Sequence, residues 1–206
     1  MKLAELRTRL GYQSLLLGGV ALLTSAALAF AALLTGPEIK AAEEADLKQS
    51  LTQVLPGSYD NDLLKDTVSL HGEAGEVLVY RARRTGKVEA VVYRVTGYGY
   101  SGAIVCMMGV SREGKVLGVR VIKHAETPGL GDKIEPAKAK WIFDFDGKWL
   151  GEPPVDKWAV KKDGGVFDQF AGATITPRAV VKAVKGGLVF FEANRAALLD
   201  EAGGVR

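Results

Sequence analysis

The distribution of apolar residues divides the chain into an uninterrupted apolar segment and a longer part in which apolar and polar residues alternate. No charged residue occurs between positions 10 and 37, and residues 14–36 supply the ~20 mostly apolar residues that a membrane-spanning helix needs. A cleaved signal peptide is the alternative, because residues 27–29 have the small-x-small pattern of a cleavage site. The apolar run continues beyond that site, which favours a retained anchor.

A second, amphipathic helix is predicted directly after this segment. Leu47, Leu51, Val54 and Leu55 recur at helical spacing and would share one face, and the Pro-Gly pair at 56–57 is typical of a helix end. The charged residues between them would form a solvated face.

Alternating apolar and polar positions predict four strands in two hairpins. The first hairpin pairs residues 77–82 with 88–95, and the second pairs residues 103–110 with 116–123. A further helix is predicted from Pro177 to about Leu199, weakened at Gly186-Gly187. These elements indicate an α+β fold, in which a single N-terminal transmembrane helix precedes one extracytoplasmic domain with an antiparallel sheet and flanking helices.

The charges beside the apolar segment predict its orientation. Lys2, Arg7 and Arg9 precede it and acidic residues follow it, and positively charged flanks stay cytoplasmic. The predicted organisation is a cytoplasmic N-terminus (1–13), a transmembrane helix (14–36) and an outer domain (37–206) with its core at about 77–195. In a bacterium with two membranes, this is a single-pass inner-membrane protein with a periplasmic domain.

Composition excludes several functions. The net charge is +3, and outside the first thirteen residues 24 basic residues face 23 acidic ones, so no basic field is available for nucleic acid. One cysteine, Cys106, and two histidines, His71 and His124, cannot build a cysteine-rich metal site or a C-x-x-C-H haem attachment. Cys106 lies in an apolar run and is interpreted as a small buried hydrophobe. No metal is predicted, and an electron carrier of this composition would need an organic cofactor.

Two glycine-containing turns are candidates for ligand contact. Residues 97–102 read GYGYSG, where glycines permit positive φ and close approach, and Tyr98 and Tyr100 could flank a flat ligand. In residues 124–135, a Thr127-Pro128-Gly129 turn of type II would present Leu130 to a planar ring. His124 could serve as an acid or base, but a histidine bonded to its own loop is the favoured interpretation.

The third candidate is DQFAGATITPRAVV, residues 168–181. Thr176-Pro177 has the form of an N-cap followed by proline at the first helical position. Thr174 precedes that cap in a turn of small residues, and the unpaired N–H groups of a helix start suit a phosphate. The residues alone therefore suggest an anion held close to Thr174.

The segment 168–174 resembles the flavinylation motif D-x-x-[ST]-G-A-T, in which the final threonine bears FMN through a phosphoester bond. The N-terminal anchor, the GYxG-type turn at 97–102 and ETPGLG at 126–131 extend the resemblance, over nearly the whole chain, to the RnfG family of the Rnf (Rsx) electron-transport complex. The resemblance implies that Thr174 carries covalent FMN within a motif that includes Asp168, Gly172 and Ala173. Ala171 departs from the motif, which has serine or threonine there; flavinylation is expected all the same.

Several residues of the three glycine-containing stretches are candidates for contact with this cofactor. The expected cofactor-binding residues are those of the 172–174 turn together with Thr176, Thr127, Gly129, Leu130, Tyr98 and Tyr100, and Trp141 is a further candidate for contact with the ring. No catalytic residue is expected, because FMN supplies the redox chemistry. A covalent link would retain FMN where free FMN is scarce, since a reversibly bound cofactor is lost by mass action.

The implied function is that of an electron-carrying component in a complex that couples electron transfer between ferredoxin and NAD to translocation of Na+ or H+. The implied partners are the other membrane subunits, the lipid bilayer and a flavin transferase that uses FAD as donor. The alternatives are an NqrC-like component of the Na+-translocating NADH:quinone reductase and a non-redox anchored assembly protein. A hydrolase using Thr174 lacks a base close in the sequence.

Overall fold

A computed structural model of the chain describes residues 10–72 and 75–200. Its helices and strands are, in chain order, α1 (Leu10–Val54), β1 (Thr67–Gly72), β2 (Gly75–Arg84), β3 (Lys87–Tyr98), β4 (Ala103–Ser111), β5 (Val116–Lys123) and α2 (Ile175–Leu198). Short 3-10 turns between β5 and α2 occupy Gly131–Ile134, Trp141–Phe145, Val155–Lys157 and Lys161–Asp163. The chain falls into two compact units that divide between Asp46 and Leu47.

The first unit consists, in its described part, of α1 up to Asp46. This helix is long and apolar enough to cross a membrane by length and composition. Large apolar side chains such as Leu15 and Leu33 are exposed along it, as a lipid-facing helix requires. The sequence predicts an anchor followed by a separate amphipathic helix, whereas α1 is assigned as one helix with Pro37 inside it. Lys2, Arg7 and Arg9, which predict the orientation, lie outside the described residues.

The second unit is built on a five-stranded antiparallel sheet whose strands lie in chain order from β1 to β5. The two predicted hairpins are confirmed as β2–β3 and β4–β5. Strand β1, which pairs with β2 at the edge of the sheet, is not predicted from the sequence. Its residues are half-buried or exposed, so the strand has only a weak apolar pattern.

Both faces of the sheet are covered, which explains why β3 and β4 contain nearly continuous buried residues instead of strict alternation. The end of α1 covers one face, where Leu51, Val54 and Leu55 pack as the predicted apolar stripe. Gly109 and Gly118 face each other on β4 and β5. A Cβ at Gly118 would lie 3.1 Å from Val54 Cα, and one at Gly109 would meet the Val54 carbonyl. These glycines let the helix end lie directly on the sheet.

Helix α2 covers the other face and touches it through two glycines. A Cβ at Gly97 would lie 2.5 Å from the Ala179 carbonyl oxygen, and one at Gly187 would lie 2.7 Å from Val95 Cγ1. The Tyr93 hydroxyl donates a hydrogen bond to the Gly187 carbonyl at 2.8 Å. The helix is continuous through Gly186-Gly187, so the low helix propensity of the two glycines does not interrupt it. Gly187 instead permits close packing.

The predicted fold class, α+β with an N-terminal apolar helix, an antiparallel sheet and flanking helices, is confirmed. The contact between Gly97 and Ala179 is the feature of this fold that positions the site. Because Gly97 lies at the end of β3 and Ala179 in the first turns of α2, this contact holds the start of α2 next to the β3–β4 turn.

Candidate functional site

A surface pocket of about 410 Å³ lies where the β3–β4 turn, the loop after β5 and the start of α2 meet. Its lining residues are Tyr100, Glu126, Thr127, Leu130, Gly131, Gly172, Ala173, Thr174, Ile175 and Thr176. The three glycine-containing stretches singled out in the sequence therefore contribute to one pocket, and this volume lies in the range of small-molecule sites. Another pocket, of about 400 Å³, is lined by residues between Lys48 and Leu64 and by none of the predicted site residues.

The loop after β5 forms the tight turn that the sequence predicts. The Thr127 carbonyl accepts hydrogen bonds from the N–H groups of Leu130 and Gly131, each at 3.1 Å. Gly129 has φ +78°, the conformation required at the third position of a type II turn. Leu130 is 43% exposed and faces the pocket. Gly129 shapes the turn without lining the pocket described here.

The segment before α2 forms a second tight turn, closed by a hydrogen bond of 3.2 Å from the Ala173 N–H to the Phe170 carbonyl. Gly172 has φ +78° and Ala171 is exposed at the tip. Thr174 follows, half-buried, as the residue immediately before the helix. Within the described residues its side chain makes no capping hydrogen bond, so its hydroxyl is not occupied by its own helix.

The predicted N-cap at Thr176 is wrong. Helix α2 begins at Ile175, which places Thr176 and Pro177 inside the first turn. Thr176 is fully buried, and its hydroxyl donates a short hydrogen bond to a carboxylate oxygen of Glu126. The Thr-Pro pair predicts a cap from neighbouring residues alone, but the fold brings the Glu126 carboxylate to the helix start, where it accepts a hydrogen bond from the Thr176 hydroxyl.

Glu126 lines the pocket and is not among the site residues predicted from the sequence. It is 5% exposed, and besides Thr176 it accepts hydrogen bonds from the N–H groups of Ser101 at 2.9 Å and Tyr100 at 3.3 Å. Burial on its own raises the pKa of this carboxyl, but the hydrogen bonds from Thr176, Ser101 and Tyr100 bring the pKa below its ordinary value. The available signal was its place as the first residue of ETPGLG.

The remaining part of the motif lies outside the pocket lining. The Asp168 carboxylate pairs with Lys161 Nζ at 2.6 Å, and its carbonyl accepts a hydrogen bond from Trp141 Nε1 at 2.8 Å. Trp141 is 7% exposed and packs edge-on against Phe145 and Phe170. Trp141 is therefore not among the residues that line the pocket, because its side chain belongs to the core beneath the motif.

The β3–β4 turn differs from its prediction in one respect. Positive φ is observed at Gly102 and not at Gly97 or Gly99 in the described residues. The close approaches at these two glycines are to the chain itself: a Cβ at Gly99 would lie 2.5 Å from Glu126 Oε1. Tyr98 and Tyr100 are 79% and 75% exposed, and Tyr100 alone of the two lines the pocket.

His124 is bonded within its own loop, as the favoured interpretation predicts. Its Nδ1 accepts a hydrogen bond from the Glu126 N–H at 3.1 Å, and its Nε2 lies 2.7 Å from Glu135 Oε1. The first contact requires an unprotonated Nδ1, so Nε2 is the donor to Glu135. The imidazole thus supports the backbone at Glu126.

Cys106 is fully buried in the core, which confirms its interpretation as a small hydrophobe. Burial raises the pKa of its thiol to about 12, so the thiolate is not available as a nucleophile near neutral pH. Among residues 10–72 and 75–200, no group of three or more His, Cys, Asp or Glu side chains is placed to hold a metal ion.

Comparison with known proteins relates the pocket to a cofactor family. The model of the FMN-binding domain family matches residues 99–189, a range that contains every residue lining the pocket. The G subunit of the ion-translocating oxidoreductase complex of Stutzerimonas stutzeri is 50% identical over 89% of this chain and 82% of that protein. The protein of the same name from Pseudomonas aeruginosa is 48% identical over 93% of this chain and 94% of that protein. Among solved structures, Shewanella oneidensis NqrC aligns with 26% identity and a TM-score of 0.49, covering 68% of this chain and 74% of that one.

Proposed function

Since this chain belongs to the RnfG family, the G subunits of Rnf-type ion-translocating oxidoreductase complexes, we propose that it carries electrons through FMN covalently attached to Thr174. One observation carries the proposal: Thr174 lines the pocket at the start of α2, and its side chain makes no capping hydrogen bond in the described structure. A hydroxyl in that position is available for a phosphoester link.

The pocket residues fit the two chemically different parts of FMN. The first N–H groups of α2 have no acceptor within the helix and suit a phosphate. Leu130 and Ile175 are 43% and 47% exposed and, with Tyr100, offer apolar surface for a planar ring. Gly172 keeps the turn before Thr174 compact. When bound, FMN supplies one- and two-electron transfer, and the protein contributes position and charge.

The remaining site residues act around this pocket in the proposal. Ala173 and Thr127 contribute to the wall, Gly129 sets the loop that presents Leu130, and Tyr98 lies on the turn beside Tyr100. Asp168 is part of the segment that a flavin transferase recognises when it attaches FMN from FAD. Ala171 is exposed at the turn tip, so its lack of a hydroxyl leaves the pocket wall unchanged.

The membrane organisation belongs to the same proposal. Residues 14–36 cross the inner membrane, residues 1–13 stay in the cytoplasm, and residues 37–206 form the periplasmic FMN-binding domain. The apolar helix and the positive residues before it support this arrangement. A covalent link suits that compartment because a reversibly bound flavin would be lost by mass action. Coupling to Na+ or H+ movement then resides in the partner membrane proteins of the complex, since one helix encloses no ion pathway.

Mass spectrometry of the chain produced with a flavin transferase tests the attachment. The tryptic peptide 163–178 contains both threonines, and fragment ions should assign the mass of FMN less one water to Thr174. Thr174→Ala should abolish the fluorescent band after denaturing electrophoresis, and Thr176→Ser should retain it. An unlabelled wild-type chain, or a label that persists in Thr174→Ala, would refute the proposal.

A further inference from the structure

Glu126 connects the chain segments that form the pocket. Its carboxylate accepts hydrogen bonds from Ser101 and Tyr100 of the β3–β4 turn and from the hydroxyl of Thr176 in the first turn of α2. The backbone N–H of Glu126 in turn donates to His124 Nδ1 at 3.1 Å. The carboxylate therefore joins the β3–β4 turn and the start of α2 to the loop after β5, and the mutual placement of these three segments defines the pocket.

The space around this carboxylate is provided by two glycines. A Cβ at Gly99 would lie 2.5 Å from Glu126 Oε1, and one at Gly131 would lie 2.8 Å from Glu126 Cβ and 3.0 Å from Thr176 Oγ1. A side chain at either position would displace the carboxylate from its donors. Gly99 and Gly131 lie in different loops on either side of Glu126. Because neither has a side chain, the buried carboxylate fits between them.

The same hydrogen bonds keep Glu126 ionised. They hold its pKa below the ordinary value in spite of burial, so at neutral pH the pocket wall contains a full negative charge. Charges act more strongly where the surroundings are poorly polarisable than they do in bulk water. Thr176, which Glu126 holds, lies two residues after Thr174 at the start of the same helix.

We propose that Glu126 is a positioning residue for the flavin attached at Thr174. It holds the start of α2 against the β3–β4 turn, and its fixed negative charge opposes the negative charge that the flavin gains on reduction. Glu126 thereby lowers the reduction potential of the attached flavin. This inference rests on the proposed attachment at Thr174.

The test uses the full-length chain produced with its flavin transferase and compares Glu126→Gln, Glu126→Asp and Glu126→Ala with the wild type. Glu152→Gln is the matched control, because it removes an exposed carboxylate that neither lines the described pocket nor contacts the Glu126–His124 pair. Covalent flavin is measured by fluorescence per chain and intact mass, the midpoint potential by spectroscopic redox titration, and folding by thermal melting.

Glu126→Gln should raise the midpoint potential, whereas Glu126→Asp, which keeps the charge, and Glu152→Gln should stay near the wild type. Glu126→Ala should carry severalfold less covalent flavin per chain than the wild type. A potential for Glu126→Gln within error of Glu152→Gln, or wild-type attachment in folded Glu126→Ala, overturns the inference while attachment at Thr174 stands. A wild type that carries no covalent flavin overturns the proposed function and this inference with it.

Discussion

Replacing Gly187 by alanine tests the close packing of α2 on the sheet, with Gly186→Ala as a control in the same helix. Alanine is intrinsically better than glycine inside a helix by about 1 kcal/mol, so both variants gain the same local term. Gly186 is exposed, and a Cβ there meets no described atom within 4 Å outside its own helix backbone. At Gly187 a Cβ would lie 2.5 Å from Met108 Cε and 2.7 Å from Val95 Cγ1.

The expected loss of stability in Gly187→Ala depends on which of the two neighbouring side chains can move away from the added Cβ. Met108 Cε is the end of a flexible side chain, but Val95 is β-branched and held on β3, so part of the overlap remains. Overpacking of this kind costs about 1–3 kcal/mol. Because the propensity gain cancels between the variants, that cost is the expected difference in the free energy of unfolding. Gly186→Ala should be more stable than the wild type by about 1 kcal/mol.

Chemical denaturation of both variants measures this difference, and thermal melting checks it at about 2–4 °C per kcal/mol for a unit of this size. Since α2 begins at the pocket, any shift of the helix in Gly187→Ala should also lower the fraction of chains that carry flavin. Equal stability of Gly187→Ala and Gly186→Ala would refute the close approach of α2 to Val95.

Three further outcomes are expected. Thr176→Val removes the hydroxyl that donates to Glu126 and should lower the free energy of unfolding by about 1.5–3 kcal/mol. Thr176→Ser keeps a hydroxyl and should retain most of the wild-type stability. A loss of only a few tenths of a kcal/mol in Thr176→Val would argue against the contact. The pKa of Glu126 is lower in the folded than in the unfolded protein. Its contribution to stability is therefore complete above the unfolded pKa of about 4.3 and is lost as pH falls through the folded pKa. The difference in unfolding free energy between the wild type and Glu126→Gln should shrink in acid, and a difference unchanged down to low pH contradicts this. Cys106 should resist iodoacetamide at pH ~8 in the native protein and react on unfolding; equal labelling rates would contradict its burial.

The elements that could be predicted from sequence are those with a local cause. Side chains alternate across a strand and recur with the period of a helix, so β2 to β5 and the apolar stripe at Leu51 and Val54 were visible in the order of residues alone. The turn at Gly129 was equally local, because proline and glycine restrict φ at neighbouring positions. The flavin motif was found by resemblance and not by physics.

Only the tertiary structure reveals three features of this protein: the placement of Glu126, the start of α2 and the role of Gly187. Thr176 and Glu126 are 50 residues apart in the chain, and no local pattern distinguishes a buried acid from a solvated one. The Thr-Pro pair favours an N-cap when only neighbours act, but a carboxylate brought in by the sheet outweighs that preference. Gly187 would weaken an isolated helix, but in this fold the absence of a Cβ lets α2 pack closely on the sheet. That benefit arises only when another surface lies against the helix.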